Sequence, residues 1–204
     1  MDKEVAEKMV RVCQSLIKKL ELAFQGFRRP TEESFKKVDE TRKEVRQYST
    51  ELAEFLIVKS SSDEKTKEWV KPFLSMASSF DRMTHNIEGI VDRLKGMVHD
   101  HILFSDRAVK EVNEIFQEAM ALLKNLPDLI QTQNKLLAQH IGEQVRSVFK
   151  IANGYSEEHE ERLIQGICMP KSSPTYLGIL ESLKGVIAHT LEVSGKAVSL
   201  SSKS

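Results

Sequence analysis

The sequence is short of the residues that build disulfide scaffolds, metal clips and membrane spans. Its two cysteines, Cys13 and Cys168, lie far apart and match no ligand spacing, which leaves no disulfide framework and no cysteine-based zinc site. Both lie in apolar surroundings of helical periodicity and read as small buried hydrophobes. A charge surplus is missing as well, since Lys plus Arg and Asp plus Glu each number 30. That balance argues against nucleic acid as the main ligand and against a polybasic membrane-surface protein. No apolar run approaches the ~18–20 residues that cross a bilayer, so membrane insertion is not expected. The opening Met1-Asp2-Lys3-Glu4 runs into a charged amphipathic pattern and not into a secretory apolar core. A cytoplasmic location follows as the expectation. There is no β-alternation, Gly-rich phosphate loop, serine elbow or cysteine–histidine pattern, and no enzyme is expected.

What the chain does have is helical periodicity almost everywhere. Val5, Met9, Val12, Leu16, Leu20 and Ala23 recur at three and four residues. Pro30 ends this first helix, and Thr31 followed by Glu32 and Glu33 starts the second. The second carries Phe35, Val38, Val45, Leu52, Phe55 and Leu56 until Lys59-Ser60-Ser61-Ser62-Asp63 breaks the pattern. A third helix begins between Asp63 and Pro72 and runs to about His99. Ser105 caps a fourth with Val109, Val112, Ile115, Phe116, Ala119 and Leu122, and Pro127 marks the next turn. A fifth carries Leu136, Leu137, Ile141, Val145, Val148 and Phe149. Asn153-Gly154 either stops that helix, with Ser156 recapping a short piece, or kinks a longer one. Ser173-Pro174 starts the last, with Tyr176, Ile179, Leu183 and Val186.

The third and last helices overlay at a shift of 103 residues, pairing Phe73 with Tyr176, Met76 with Ile179, Ser79 with Ser182 and Met83 with Val186. Each closes a run of three helices. The expected fold is all-α: two tandem three-helix bundles of six long antiparallel helices, residues 1–102 and 103–204, forming one unit.

Chemistry concentrates on the third helix, where Asp81, His85, Glu88 and Asp92 fall within about 60° of one another at ~100° per residue. Carboxylates with an imidazole suit a divalent or iron-type metal ion. One helix cannot complete a coordination sphere, so Asp39, Glu40 or Glu44 of the second helix would have to contribute. A solvated polar face has the same periodicity and is the plainer alternative. His99-Asp100-His101 reads as a polar helix terminus. Glu157-Glu158-His159-Glu160-Glu161, following Ser156, reads as an acidic complement to a helix N-terminus. His140 and His189 stand alone.

The segments Phe80-Asp81-Arg82-Met83-Thr84-His85-Asn86-Ile87 and Leu183-Lys184-Gly185-Val186-Ile187-Ala188-His189 resemble the PhoU family. Its members have two three-helix repeats, each third helix carrying a pattern like Leu-Glu-Arg-Ile-Gly-Asp-His-Ala. In that family the Glu and the Asp four residues later help bind iron, zinc or similar metals. Asp81 and His85 occupy those places in the first copy, and Lys184 and Ala188 in the second, so the second copy has lost its ligands. The resemblance implies a cytoplasmic accessory protein of phosphate uptake that contacts a phosphate transporter, a sensor kinase or both; separately, the sequence leaves a homodimer open as a further partner state. The other reading of the same residues is a metal-binding helical bundle with one degenerate carboxylate/histidine site.

Overall fold

A computed structural model describes residues 2–60 and 64–199 of the chain. Six long helices and one short one follow in order: α1 (Lys3–Arg28), α2 (Glu32–Ser60), α3 (Glu64–His99), α4 (Asp106–Lys124), α5 (Leu126–Thr132), α6 (Lys135–Ile164) and α7 (Ser173–Ser199). A 3-10 turn at Pro170–Ser172 leads into α7. Among the described residues there is no strand, and no helix is long and apolar enough to cross a membrane.

Local chemistry sets most of the boundaries. The Asp2 carboxylate accepts the backbone N–H of Glu4 at 2.9 Å and of Val5 at 3.3 Å, satisfying two of the free donors at the start of α1. Pro30 keeps Arg29 out of the helical region (φ −140°, ψ 81°), which ends α1. Thr31 and Ser34 then cap α2 reciprocally, each side-chain oxygen accepting the other's backbone N–H at 3.1 Å. Ser105 accepts from Ala108 N–H at the head of α4. Pro127 stands in the first turn of α5, whose left-handed terminus is Gln133 (φ 53°).

Of the two readings of Asn153-Gly154, the longer helix is the one observed: α6 is continuous from Lys135 to Ile164. Tertiary contacts override the local breaker, because Ala152 and His159 are buried on either side and Asn153 Oδ1 accepts a hydrogen bond from Lys184 Nζ of α7 at 3.0 Å. Cys168 is not a buried helical hydrophobe; it is half-buried in the α6–α7 connection, whereas Cys13 is fully buried on α1. The break expected over Lys59–Asp63 falls partly outside the described residues, and Lys59 and Ser60 close α2. Leu136 and Val109, expected on core stripes, are exposed at the first turns of α6 and α4.

The core is continuous. The α1 stripe from Val5 to Ala23 packs against α2 and α3, and α7 lies against α3, α4 and α6. Each buried Leu, Ile or Phe contributes about 1.5–3 kcal/mol relative to exposure. The α3–α7 contact is antiparallel and regularly spaced. Ser79 Oγ donates to Glu192 at 2.9 Å, Asn86 lies over Gly185, and Arg93 lies over Gly178. Each step is seven residues forward on α3 and seven back on α7, the spacing of a coiled-coil seam. An aromatic row leads from α1 toward the far end of the bundle: Phe24 stacks on Phe116 at 5.0 Å, and Phe104 meets the edge of Tyr176 at 6.0 Å.

Candidate functional site

The α2–α3 groove, about 490 Å³, brings three of the four singled-out residues of α3 together: Asp81, His85 and Glu88. Asp92 is exposed one turn further on and does not line it. The other wall is not the expected carboxylate row. It is Arg42, Val45, Arg46, Ser49, Thr50 and Ala53.

The α2 acids are committed elsewhere. Asp39 accepts from Lys95 at 2.8 Å and Glu44 from Lys18 at 2.8 Å, while Glu40 is exposed outside the groove. Facing α3 at the same level, α2 presents the guanidinium groups of Arg42 and Arg46.

Glu88 is claimed by two cations. Its Oε1 accepts from Lys19 Nζ at 2.7 Å and from Arg42 Nε at 2.9 Å. Lys19 is only 1% exposed, so this carboxylate is the counter-charge of a buried ammonium. Burial pushes the Glu88 carboxyl up, but the hydrogen bonds and charges of Lys19 and Arg42 outweigh it and hold the group below its usual range. Burial lowers Lys19 more than Glu88 raises it. Partial burial against the groove wall raises Asp81. Asp81 and His85 are left as donors, with Glu88 neutralised and two arginines beside them. Among the described residues no three His, Cys, Asp or Glu side chains converge as a metal-ligand set.

The matching stretch of α7 holds Lys184, which binds Asn153 and Glu181, and Ala188, which has no donor. At the end of α3, His99 Nδ1 meets Asp100 at 2.8 Å, and His101 sits exposed at φ 52°. His140 is exposed, and His189 Nδ1 lies 3.2 Å from Glu192. The Glu157–Glu161 run caps no N-terminus, because α6 is unbroken there; it lies near that helix's C-terminal end.

Within that run His159 turns inward. Its ring stacks on Tyr176 at 4.4 Å, and Nε2 lies 2.9 Å from Ser173 Oγ. Beside it is a buried network that the sequence reading missed. Arg162 grips Glu111 in a two-pronged pair, Nη1 to Oε1 at 3.0 Å and Nη2 to Oε2 at 2.8 Å. Tyr176 donates its hydroxyl to Glu111 Oε2 at 2.5 Å, and Arg107 Nε reaches Oε1 at 2.9 Å. Burial, followed by the Glu111 hydrogen bond, drives the Tyr176 hydroxyl well above its usual range. Burial and then the Glu114 carboxylate push Tyr155 up to about 12. A signal was present in the sequence: Glu111 is the one charge on the α4 face formed by Ala108, Val112 and Ile115, all buried.

No family's sequence profile and no curated protein matches this chain. The crystal structure of the phosphate transport system regulatory protein PhoU from Streptococcus pneumoniae does match, at 13% sequence identity and a TM-score of 0.84. It covers 98% of this chain and 95% of its own, and the likeness is one of fold.

Proposed function

We propose that this chain is a regulatory adaptor of phosphate transport or phosphate signalling that acts through protein–protein contacts. The carrying observation is the extent of the fold likeness: nearly the whole chain follows a protein named as a phosphate transport system regulator. Its partners on this reading are a phosphate transporter, a sensor kinase or both, on the cytoplasmic side of the membrane. The reading treats 1–102 and 103–204 as paired three-helix repeats, which the long α3–α7 seam supports.

Regulation here does not depend on metal. A metal-dependent version has only Asp81 and His85 to draw on, because Glu88 balances Lys19 and Arg42. The adaptor signals by docking and release.

The test is a tagged pull-down from cross-linked, detergent-solubilised cells grown in high and in low phosphate, identified by mass spectrometry. Recovery of a phosphate transporter or its sensor kinase, differing between the two conditions, is the expected result. Recovery of neither in both conditions overturns the reading. In parallel, protein reloaded with zinc or iron(II) is expected to retain far less than one equivalent by elemental analysis.

A further inference from the structure

One end of the bundle carries apolar side chains that the fold does not use. Ile164 (88% exposed) ends α6, Ile167 (67%) and Met169 (66%) lie in the α6–α7 connection, and Leu103 (80%) lies in the α3–α4 connection. Single exposed hydrophobics are ordinary, but a group of them marks a binding surface. Leu103, Ile167 and Met169 line one pocket of about 230 Å³ together with Phe104, Cys168 and the buried Tyr176. Lys171 Nζ, bonded to the Asp100 carbonyl at 3.1 Å, ties the two connections together.

The backbone explains why Ile167 is free. Gly166 (φ +70°) ends α6 in a left-handed turn, with Gly166 N–H bonded to Leu163 O at 3.0 Å and Ile167 N–H to Arg162 O at 2.9 Å. In this type of helix stop the residue after the glycine ordinarily packs on the side chain that here is Arg162. Arg162 is committed to Glu111, so Ile167 has no apolar partner on its own helix and stands in solvent.

On the last two turns of α6 the exposed charge beside Ile164 is of one sign. Glu157, Glu160 and Glu161 lie within about 60° of Ile164 around α6, all exposed. Among the described residues none makes an ion pair, in contrast to Glu158, which binds Arg107. A second copy docked face to face would bring two such acidic rows together, at an electrostatic cost. A cationic partner would complement them. Transporter loops facing the cytoplasm carry a surplus of Lys and Arg.

Resting on the adaptor reading above, we propose that this end docks a basic amphipathic helix of a partner protein. Its apolar face covers Leu103, Ile164, Ile167 and Met169, one bulky side chain enters the pocket beside Cys168, and its Lys or Arg side chains meet Glu157, Glu160 and Glu161.

Cys168 provides a built-in reporter, since Cys13 is fully buried. The probe is a synthetic Leu/Lys amphipathic peptide of about five helical turns, with a Leu/Glu peptide as control, and the readout is the rate at which a small maleimide modifies Cys168. With free Leu/Lys peptide at about ten times its Kd the rate is expected to fall about tenfold, and the Leu/Glu peptide is expected to leave it unchanged. Ile167→Ser with Met169→Ser, and separately Glu160→Lys with Glu161→Lys, should each abolish the protection while leaving helical circular dichroism intact. No protection, equal protection by both peptides, or protection that survives both pairs of substitutions overturns the proposal. Protection that appears without peptide and tracks dimer formation in sedimentation velocity also overturns it, in favour of a second copy. The pull-down separates the two readings. If wild type and the patch variants recover a transport component equally, the docking site fails and the adaptor stands. If no component is recovered while the peptide still protects Cys168, the adaptor reading fails and the docking chemistry stands.

Discussion

Asn86 of α3 lies directly over Gly185 of α7: a β-carbon on Gly185 would come within 2.5 Å of Asn86 Nδ2. Two effects of opposite sign therefore act on Gly185→Ala. Alanine gains roughly 1 kcal/mol of helix propensity over glycine, while forcing an atom into a packed contact costs about 1–3 kcal/mol. The clash should win, and Gly185→Ala should lower stability in urea unfolding. In an Asn86→Ala background the obstacle is gone, and the same substitution should stabilise by up to about 1 kcal/mol. An unchanged sign in the two backgrounds would refute the close approach.

The Glu111–Arg162 pair should behave as a unit. Glu111→Leu alone strands a buried guanidinium and the Tyr176 hydroxyl, at an expected cost of about 3–5 kcal/mol. Glu111→Leu combined with Arg162→Met removes both charges and should recover most of that loss. Urea unfolding of the two single variants and the double variant closes the cycle. Additive losses would mean that the pair is not coupled.

Around Glu88 the two cations should differ. Lys19 is buried and Arg42 is half in solvent. Glu88→Gln takes the counter-charge from Lys19 and should cost about 2–4 kcal/mol. Arg42→Ala breaks a solvent-screened pair and should cost less than about 1 kcal/mol. Denaturation midpoints of the two variants check this, and the reverse order would show that Arg42, not Lys19, is the essential partner.

How much of this was readable in advance depended on whether the cause was local. The α1 stripe, the Thr31 and Ser105 caps and the stop at Pro30 involve neighbours in sequence, and all were legible. Whether α6 stopped at Asn153-Gly154 or ran on stayed open, because Lys184, some thirty residues away, helps hold it. The candidate groove divides in the same way. The four-residue spacing put Asp81 and His85 on one face of α3, and they do share the groove. That Arg42, Arg46 and Lys19 would meet them was set by how α1 and α2 rotate against α3, and no spacing within one helix contains that information. Glu111 lay between: a carboxylate on an apolar stripe announces a buried partner but does not name Arg162.

His159 gives the chain a pH-sensitive element that can be isolated. Burial, with the Arg162 charge second, lowers its pKa in the folded protein below the ordinary imidazole value. The unfolded chain, titrating near ~6.5, therefore binds the proton more readily than the folded one. Stability is complete above that value and falls as pH drops through it toward the lower folded value, with a slope of at most ~1.4 kcal/mol per pH unit for one proton. Glu88 has the opposite chemistry and a different window: its lowered carboxyl stabilises above its unfolded pKa, near ~4.3, and loses that contribution only in more acidic solution. Between about pH 5 and 6.5 the two are thus separable. His159→Phe keeps an aromatic ring against Tyr176 but cannot be protonated, so it should flatten the slope of unfolding free energy in that interval while wild type declines. Parallel slopes for the two proteins would show that the buried imidazole is not the group that responds.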